Sequence, residues 1–171
     1  TVPLRGKADR VDVATDGTIH VVDYKTGNPT YFPKLSAEDP HHGGTHLQLP
    51  IYAEAARAAV GRPDAPVRAD FWFVSTKGRY ERIGYHVTPE VLAETARAMG
   101  TIVAGIETGL FPNHPKPPTT SPYIDCHYCD PDGLGTSELR AHFERKVGQA
   151  ELAPYLELVG LLDDAATEAA S

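Results

Sequence analysis

GKADRVDVATDGTIHVVDYKTG, residues 6–27, reads as two Val- and Ile-rich strands, about 4–14 and 18–25, joined at Asp16-Gly17. Asp9, Asp23 and Lys25 stand inside these runs, although a half-buried strand normally keeps charge off its inner face. Alternate residues of a strand share a face, so Asp23 and Lys25 point the same way. The turn decides where Asp9 goes. A two-residue Asp16-Gly17 loop would set Asp9 opposite Tyr24 and send the two carboxylates to opposite faces. A three-residue loop, Thr15-Asp16-Gly17, pairs Ala14 with Thr18 and places Gly17 at the left-handed position that such a loop wants. In that register Asp9 faces Asp23. One face then runs Val11, Val13, Ile19, Val21 as a core layer and ends in Asp9, Asp23 and Lys25.

Two carboxylates about 4 Å apart repel by roughly 4 kcal/mol at an effective dielectric of 20, and a divalent cation offsets that repulsion. Hard oxygen ligands select Mg²⁺ or Mn²⁺ over zinc, and magnesium is typically held by one or two carboxylates plus a substrate phosphate. A lysine beside such a site orients or deprotonates an attacking water and offsets charge building on a phosphoryl oxygen. The parts suit phosphodiester hydrolysis.

Outward from the hairpin, residues 28–46 hold three prolines and the Gly43-Gly44 pair without periodicity and read as a long loop, a kind often functional in a compact domain. LQLPIYAEAARAAV, 47–60, reads as a helix stopped by Gly61 and Pro63, with Pro50 in its first turn. Strands are expected at about 68–76 and 79–87. A helix opens at Thr88-Pro89-Glu90 and reaches about Gly109. Residues 111–135 are Pro-rich and irregular, and helical patterns follow at about 136–147 and 151–169.

The chain has 171 residues, enough for one substantial core, and no apolar run approaches the ~18 residues of a membrane span. Its net charge is −7, but Glu151, Glu157, Asp163, Asp164 and Glu168 lie in a tail without Lys or Arg, which leaves −2 on residues 1–149. The body is near neutral, so charge neither supports nor excludes a polyanionic partner. Two cysteines are too few for a disulfide framework, which points to a reducing, cytoplasmic setting. The expected organisation is a nuclease-type domain over 1–149 and an acidic helical tail over 150–171.

GKADRVD, VVDYKTG and QLPIY resemble the successive motifs of the PD-(D/E)xK nuclease superfamily, and in particular its RecB-like exonuclease branch of helicase-nucleases and CRISPR-associated nucleases. The resemblance extends from about Gly6 to Cys129. It implies a restriction-endonuclease-like α/β (α+β) fold, with a mixed central sheet and an antiparallel motif hairpin flanked by helices. It also implies a Mg²⁺- or Mn²⁺-dependent DNA nuclease of repair or recombination, with a helicase domain or subunit as partner and no membrane. Asp9 and Asp23 would be metal ligands, the backbone carbonyl of Tyr24 a third, and Lys25 the catalytic lysine. Gln48 and Tyr52 match the Gln-Tyr motif beside the active site, four apart on one helix face. Arg10 is a candidate phosphate contact, whereas Asp12 is expected on the other face, solvated or ion-paired.

Relatives usually carry a helix ahead of the first motif strand, often with a further acidic or histidine ligand, and this chain is expected to lack it and so to bind metal weakly and cleave DNA poorly. Cys126 and Cys129 match two of the four positions that hold an iron–sulfur cluster in some members, while position 135 is Gly135, so a cluster is not expected. Zinc would need two more ligands at suitable spacing. His41, His42 and His46 are expected in solvent on the long loop. The rival reading is a catalytically silent nuclease fold serving as a DNA-binding or docking module. A glycosidase-type acid pair ranks third, because Lys25 favours phosphate chemistry.

Overall fold

The computed structural model describes residues 3–114 and 137–162. The chain forms two compact units, Thr1–Met99 and Gly100–Ser171. The first contains a four-stranded sheet in the order β1 (Arg10–Val13), β2 (Ile19–Lys25), β3 (Val67–Phe73), β4 (Arg82–His86). β1–β2 and β3–β4 are antiparallel and β2–β3 is parallel, so the architecture is α+β with a mixed sheet. A parallel pair needs a long crossover. Here the crossover holds the long loop and helix α1 (Gln48–Val60), which packs on β2 and β3.

The hairpin closes with the three-residue loop. Val11 pairs with Val21 and Val13 with Ile19. Ala14 N–H donates to the Thr18 carbonyl at 2.8 Å, and Gly17 N–H donates to the Ala14 carbonyl at 3.0 Å. Gly17 has φ of +89°, which a side chain would strain. The Asp16 carboxylate accepts from Thr18 N–H at 2.9 Å, and this bond holds its pKa below the usual carboxylate value.

Ile19, Val21, Val67, Ala69, Phe71 and Phe73 point toward α1, meet Leu49 and Ala53, and are essentially inaccessible. Burying a side chain such as Phe71 contributes about 2–3 kcal/mol. The expected core layer stops at β2, however. Val11 and Val13 are 41 % and 45 % exposed, because α1 lies over β2 and β3 and leaves the inner face of the edge strand open. A groove of about 740 Å³ runs there between the lead-in residues and α1, lined by Leu4, Ala8, Val11, Ile51 and Ala55 among others.

β1 is shorter than the expected 4–14. The second pair of strands is also trimmed, because the chain turns at 74–81: Gly78 N–H donates to Ser75 Oγ at 2.9 Å, and Arg79 and Tyr80 take φ of 52° and 54°. The loop 28–46 is packed down rather than free in solvent. Leu35 is buried, Tyr85 donates its hydroxyl to the Pro40 carbonyl at 2.6 Å, and His41 is buried. The His41 Nδ1 accepts from Gly44 N–H at 3.1 Å, while its Nε2 lies 3.2 Å from Glu94 on α2 (Pro89–Thr108). Burial raises the Tyr85 phenol well above its ordinary value.

In the second unit, α3 (Ser137–Glu144) and α4 (Ala153–Leu158) contribute to a small core of Phe143, Leu152 and Leu156. His114 stacks on Phe143 at 4.3 Å between ring centroids, and burial lowers its pKa. Cys126 and Cys129, with the cluster and zinc readings attached to them, lie outside the described residues. Among those described, no helix is long and apolar enough to cross a membrane.

Candidate active site

Asp23 and Lys25 occupy the C-terminal end of β2 on the face toward α1, where the parallel register sets Asp23 beside Phe71 and Lys25 beside Phe73. A carboxylate in this position would be costly unpaired. Asp23 is 6 % exposed, and its Oδ2 lies 2.6 Å from Lys25 Nζ. The ammonium also sits 4.6 Å from the centroid of the Phe71 ring, a cation–π contact. It donates to Gln48 Oε1 at 3.3 Å, and Gln48 Nε2 reaches the Tyr52 hydroxyl at 3.5 Å. A polar line therefore runs from the sheet to α1: Asp23, Lys25, Gln48, Tyr52. Lys25 has its Nζ held from two sides above an aromatic floor.

Asp9 lies one residue ahead of β1, in line with a register that pairs Arg10 with Val22 and so continues to Asp9 across from Asp23. Its Oδ2 accepts from the backbone N–H of Tyr24 at 2.8 Å, which extends the ladder by a side-chain bond and fixes the carboxylate at the mouth of the β2 end. Asp9 is exposed and Asp23 buried, so the pair presents one oxygen set to solvent and one to the lysine. Arg10 and Asp12 fall on the opposite face, joined by an ion pair of 2.6 Å. Asp12 is thus ion-paired as expected, and Arg10 stands apart from the carboxylates it was grouped with.

Two residues enter the neighbourhood without a role in the sequence reading. A Cβ on Gly6 would lie 2.6 Å from Tyr52 Cε1, so glycine allows the lead-in segment to press against that ring; a glycine just ahead of a charged strand was the available signal. His46 is half-buried, edge-on to Phe32 at 4.8 Å between centroids, and Phe32 in turn packs on Phe71 and Phe73. Burial first, then the charges of His42 and Lys25, lower the His46 pKa. The expectation of three solvated loop histidines therefore holds for His42 alone, because the loop folds back onto the sheet end. Nothing in the local sequence marks that return.

Among the described residues no group of three or more His, Cys, Asp and Glu side chains is arranged for a metal. The donors that the hairpin brings to the β2 end are the Asp9 and Asp23 carboxylates, both hard oxygen ligands. This chemistry fits a divalent cation that keeps several waters, as Mg²⁺ does, and not a nitrogen- or sulfur-bound metal.

A mixed sheet flanked by helices, with its charged residues gathered at one end of a hairpin strand, is the architecture of restriction-endonuclease-like proteins. The chain belongs to the PD-(D/E)XK nuclease superfamily, whose family model matches residues 1–132. It is 29 % identical over 129 residues to the Gene 69 protein of Mycobacterium phage D29, an alignment that covers 74 % of this chain and 40 % of the phage protein. The chain therefore spans about two fifths of the length of that relative. No solved structure gives a significant match.

Proposed function

We propose that the chain is a Mg²⁺- or Mn²⁺-dependent DNA nuclease of the RecB-like type, acting in the cytoplasm in repair or recombination alongside a helicase domain or subunit. The observation that carries this reading is the line Asp23–Lys25–Gln48–Tyr52 with Asp9 at its mouth, which brings the three motif segments of the chain to one place. Membership of the superfamily supports nuclease activity and DNA as the substrate. Residues 1–149 are proposed as the nuclease domain and 150–171 as its acidic helical tail.

In this reading Asp9, Asp23 and the Tyr24 carbonyl would hold the cation, which would supply Lewis-acid polarisation of phosphate and water. Lys25 is the residue through which the chain acts on the reacting atoms. Its ammonium, held by Asp23 and Gln48, orients the attacking water and offsets charge on the phosphoryl oxygen. Gln48 keeps Lys25 from collapsing onto Asp23 alone, and Tyr52 fixes Gln48 through its hydroxyl. Tyr52 and Arg10 are proposed DNA contacts, on different faces of the sheet.

The test is cleavage of end-labelled single- and double-stranded DNA with Mg²⁺ or Mn²⁺, coupled to Mn²⁺ calorimetry. Asp23→Asn should weaken Mn²⁺ binding and abolish cleavage, while Lys25→Ala should abolish cleavage without weakening Mn²⁺ binding. Cleavage that survives both substitutions assigns the chemistry elsewhere. Mn²⁺ binding without cleavage in the unsubstituted chain would favour the silent docking module.

A further inference from the structure

The sheet has a second chemistry-bearing face. Opposite α1, and at the same end of the sheet as Asp23 and Lys25, four side chains form a row across the strands: Arg10, Tyr24, Trp72 and Arg82. Register puts Tyr24 beside Trp72 and Trp72 beside Arg82, with Arg10 diagonal to Tyr24 through its pairing with Val22. The Tyr24 and Trp72 rings lie 5.8 Å apart between centroids at 51°. The Arg82 guanidinium carbon sits 4.4 Å over the indole. The order is cation, ring, ring, cation.

This end of the face is open. Arg10 and Arg82 are exposed, Tyr24 is 37 % exposed and Trp72 half-buried, whereas Val22 and Asp70, one step further along the same strands, are buried. Rings left partly in water realise only part of the gain from burial, so their placement here has a reason beyond the core. Charge is informative in the same way. The whole chain carries −7, yet this row holds two guanidiniums: Arg10 is paired with Asp12, while among the described residues Arg82 has no carboxylate ion-pair partner. Single-stranded nucleic acid is bound by this combination, in which bases stack on aromatic rings and guanidinium planes while cations meet the phosphates. A duplex hides its base faces and cannot use the rings.

We propose that the Arg10–Tyr24–Trp72–Arg82 row is a stacking platform for unpaired bases of single-stranded DNA, separate from the carboxylate site and back to back with it across the sheet. The choice of DNA as ligand rests on the nuclease reading, but the platform does not depend on cleavage. One or two bases stack on Tyr24 and on the indole or the outer plane of the Arg82 guanidinium, and Arg10 and Arg82 meet the flanking phosphates. A strand held there lies beside the sheet end that carries Asp9 and Asp23, so the platform steadies the unpaired flank of the strand to be cut.

Trp72 is the chain's single tryptophan, so its emission reports on the platform directly. The experiment titrates an oligothymidylate of about a dozen nucleotides, and a blunt duplex of the same length, into the full chain in EDTA, where no cleavage occurs. Quenching by the single strand, at least tenfold weaker with the duplex, is the expected result. Arg82→Ala and Tyr24→Ala should each weaken single-strand affinity about tenfold, read also by anisotropy of labelled oligonucleotide, with Arg82→Lys intermediate because it keeps charge and loses the plane. EDTA removes any cation and with it cleavage, so affinity read there separates platform from active site: a chain that shows this pattern in EDTA but never cleaves DNA with Mn²⁺ retains the platform and loses the nuclease reading. No quenching, equal response to duplex and single strand, or indifference to both Arg82→Ala and Tyr24→Ala overturns the proposal and makes the row a cross-strand packing motif.

Discussion

Replacing Lys25 with Met tests the Asp23–Lys25 pair before any enzymology. The pair is 2.6 Å long, with the Asp23 side chain 8 % and the Lys25 side chain 27 % exposed. Breaking a buried pair by removing one partner costs about 3–5 kcal/mol, because the remaining charge is left uncompensated. The partly open lysine puts this case at the lower end, about 3 kcal/mol. With a urea m-value of about 2 kcal/mol/M, the unfolding midpoint of Lys25→Met in EDTA should fall by about 1.5 M, followed by Trp72 fluorescence. Asp23→Asn in the same background should recover at least half of the loss, since no buried charge then remains. Mn²⁺ supplies a second diagnostic. In the parent chain the ammonium already compensates Asp23, so saturating Mn²⁺ should stabilise Lys25→Met more than the parent; occupancy at about 100 times Kd is worth about 2.7 kcal/mol. A Lys25→Met midpoint within about 0.25 M of the parent, or equal stabilisation of both chains by Mn²⁺, would refute the reasoning that Asp23 is a buried carboxylate held by the lysine.

Other expectations follow from the same geometry. Gln48→Ala removes a hydrogen bond to a charged group worth about 1.5–3 kcal/mol, so DNA cleavage should drop by about 10- to 100-fold while Mn²⁺ affinity measured by calorimetry stays within twofold. Gly6→Ala places a Cβ 2.6 Å from Tyr52 Cε1 and should cost about 1–3 kcal/mol in chemical denaturation, a loss that Tyr52→Ala in the same chain relieves. His46 has a lowered pKa, so the folded chain binds fewer protons there than the unfolded one, and stability falls as pH drops through and below about 6.5. His46→Gln should flatten the fall in stability between about pH 6.5 and 5; the flattening is partial because His114 carries a shift of the same sign. An unchanged slope would refute the lowered pKa of His46.

The hairpin was legible in the sequence because its determinants are local. Gly17 must take a left-handed φ, the three-residue loop that satisfies it sets the register, and the register decides on which side of the sheet each charged residue falls. Helix α1 announced itself by composition and by Gly61, and the four-residue spacing of Gln48 and Tyr52 fixed their common face. The strand order and the parallel β2–β3 pairing were not legible, since both depend on contacts between segments more than forty residues apart. That pairing put Phe71 under Lys25 and Trp72 beside Tyr24, creating the floor of one site and the row of the other. Tertiary structure alone also decided that Val11 and Val13 stay half in solvent and that His41 and His46 leave it. Periodicity tells which face of a strand a residue occupies, but what covers that face is set by where a distant helix or loop comes to rest.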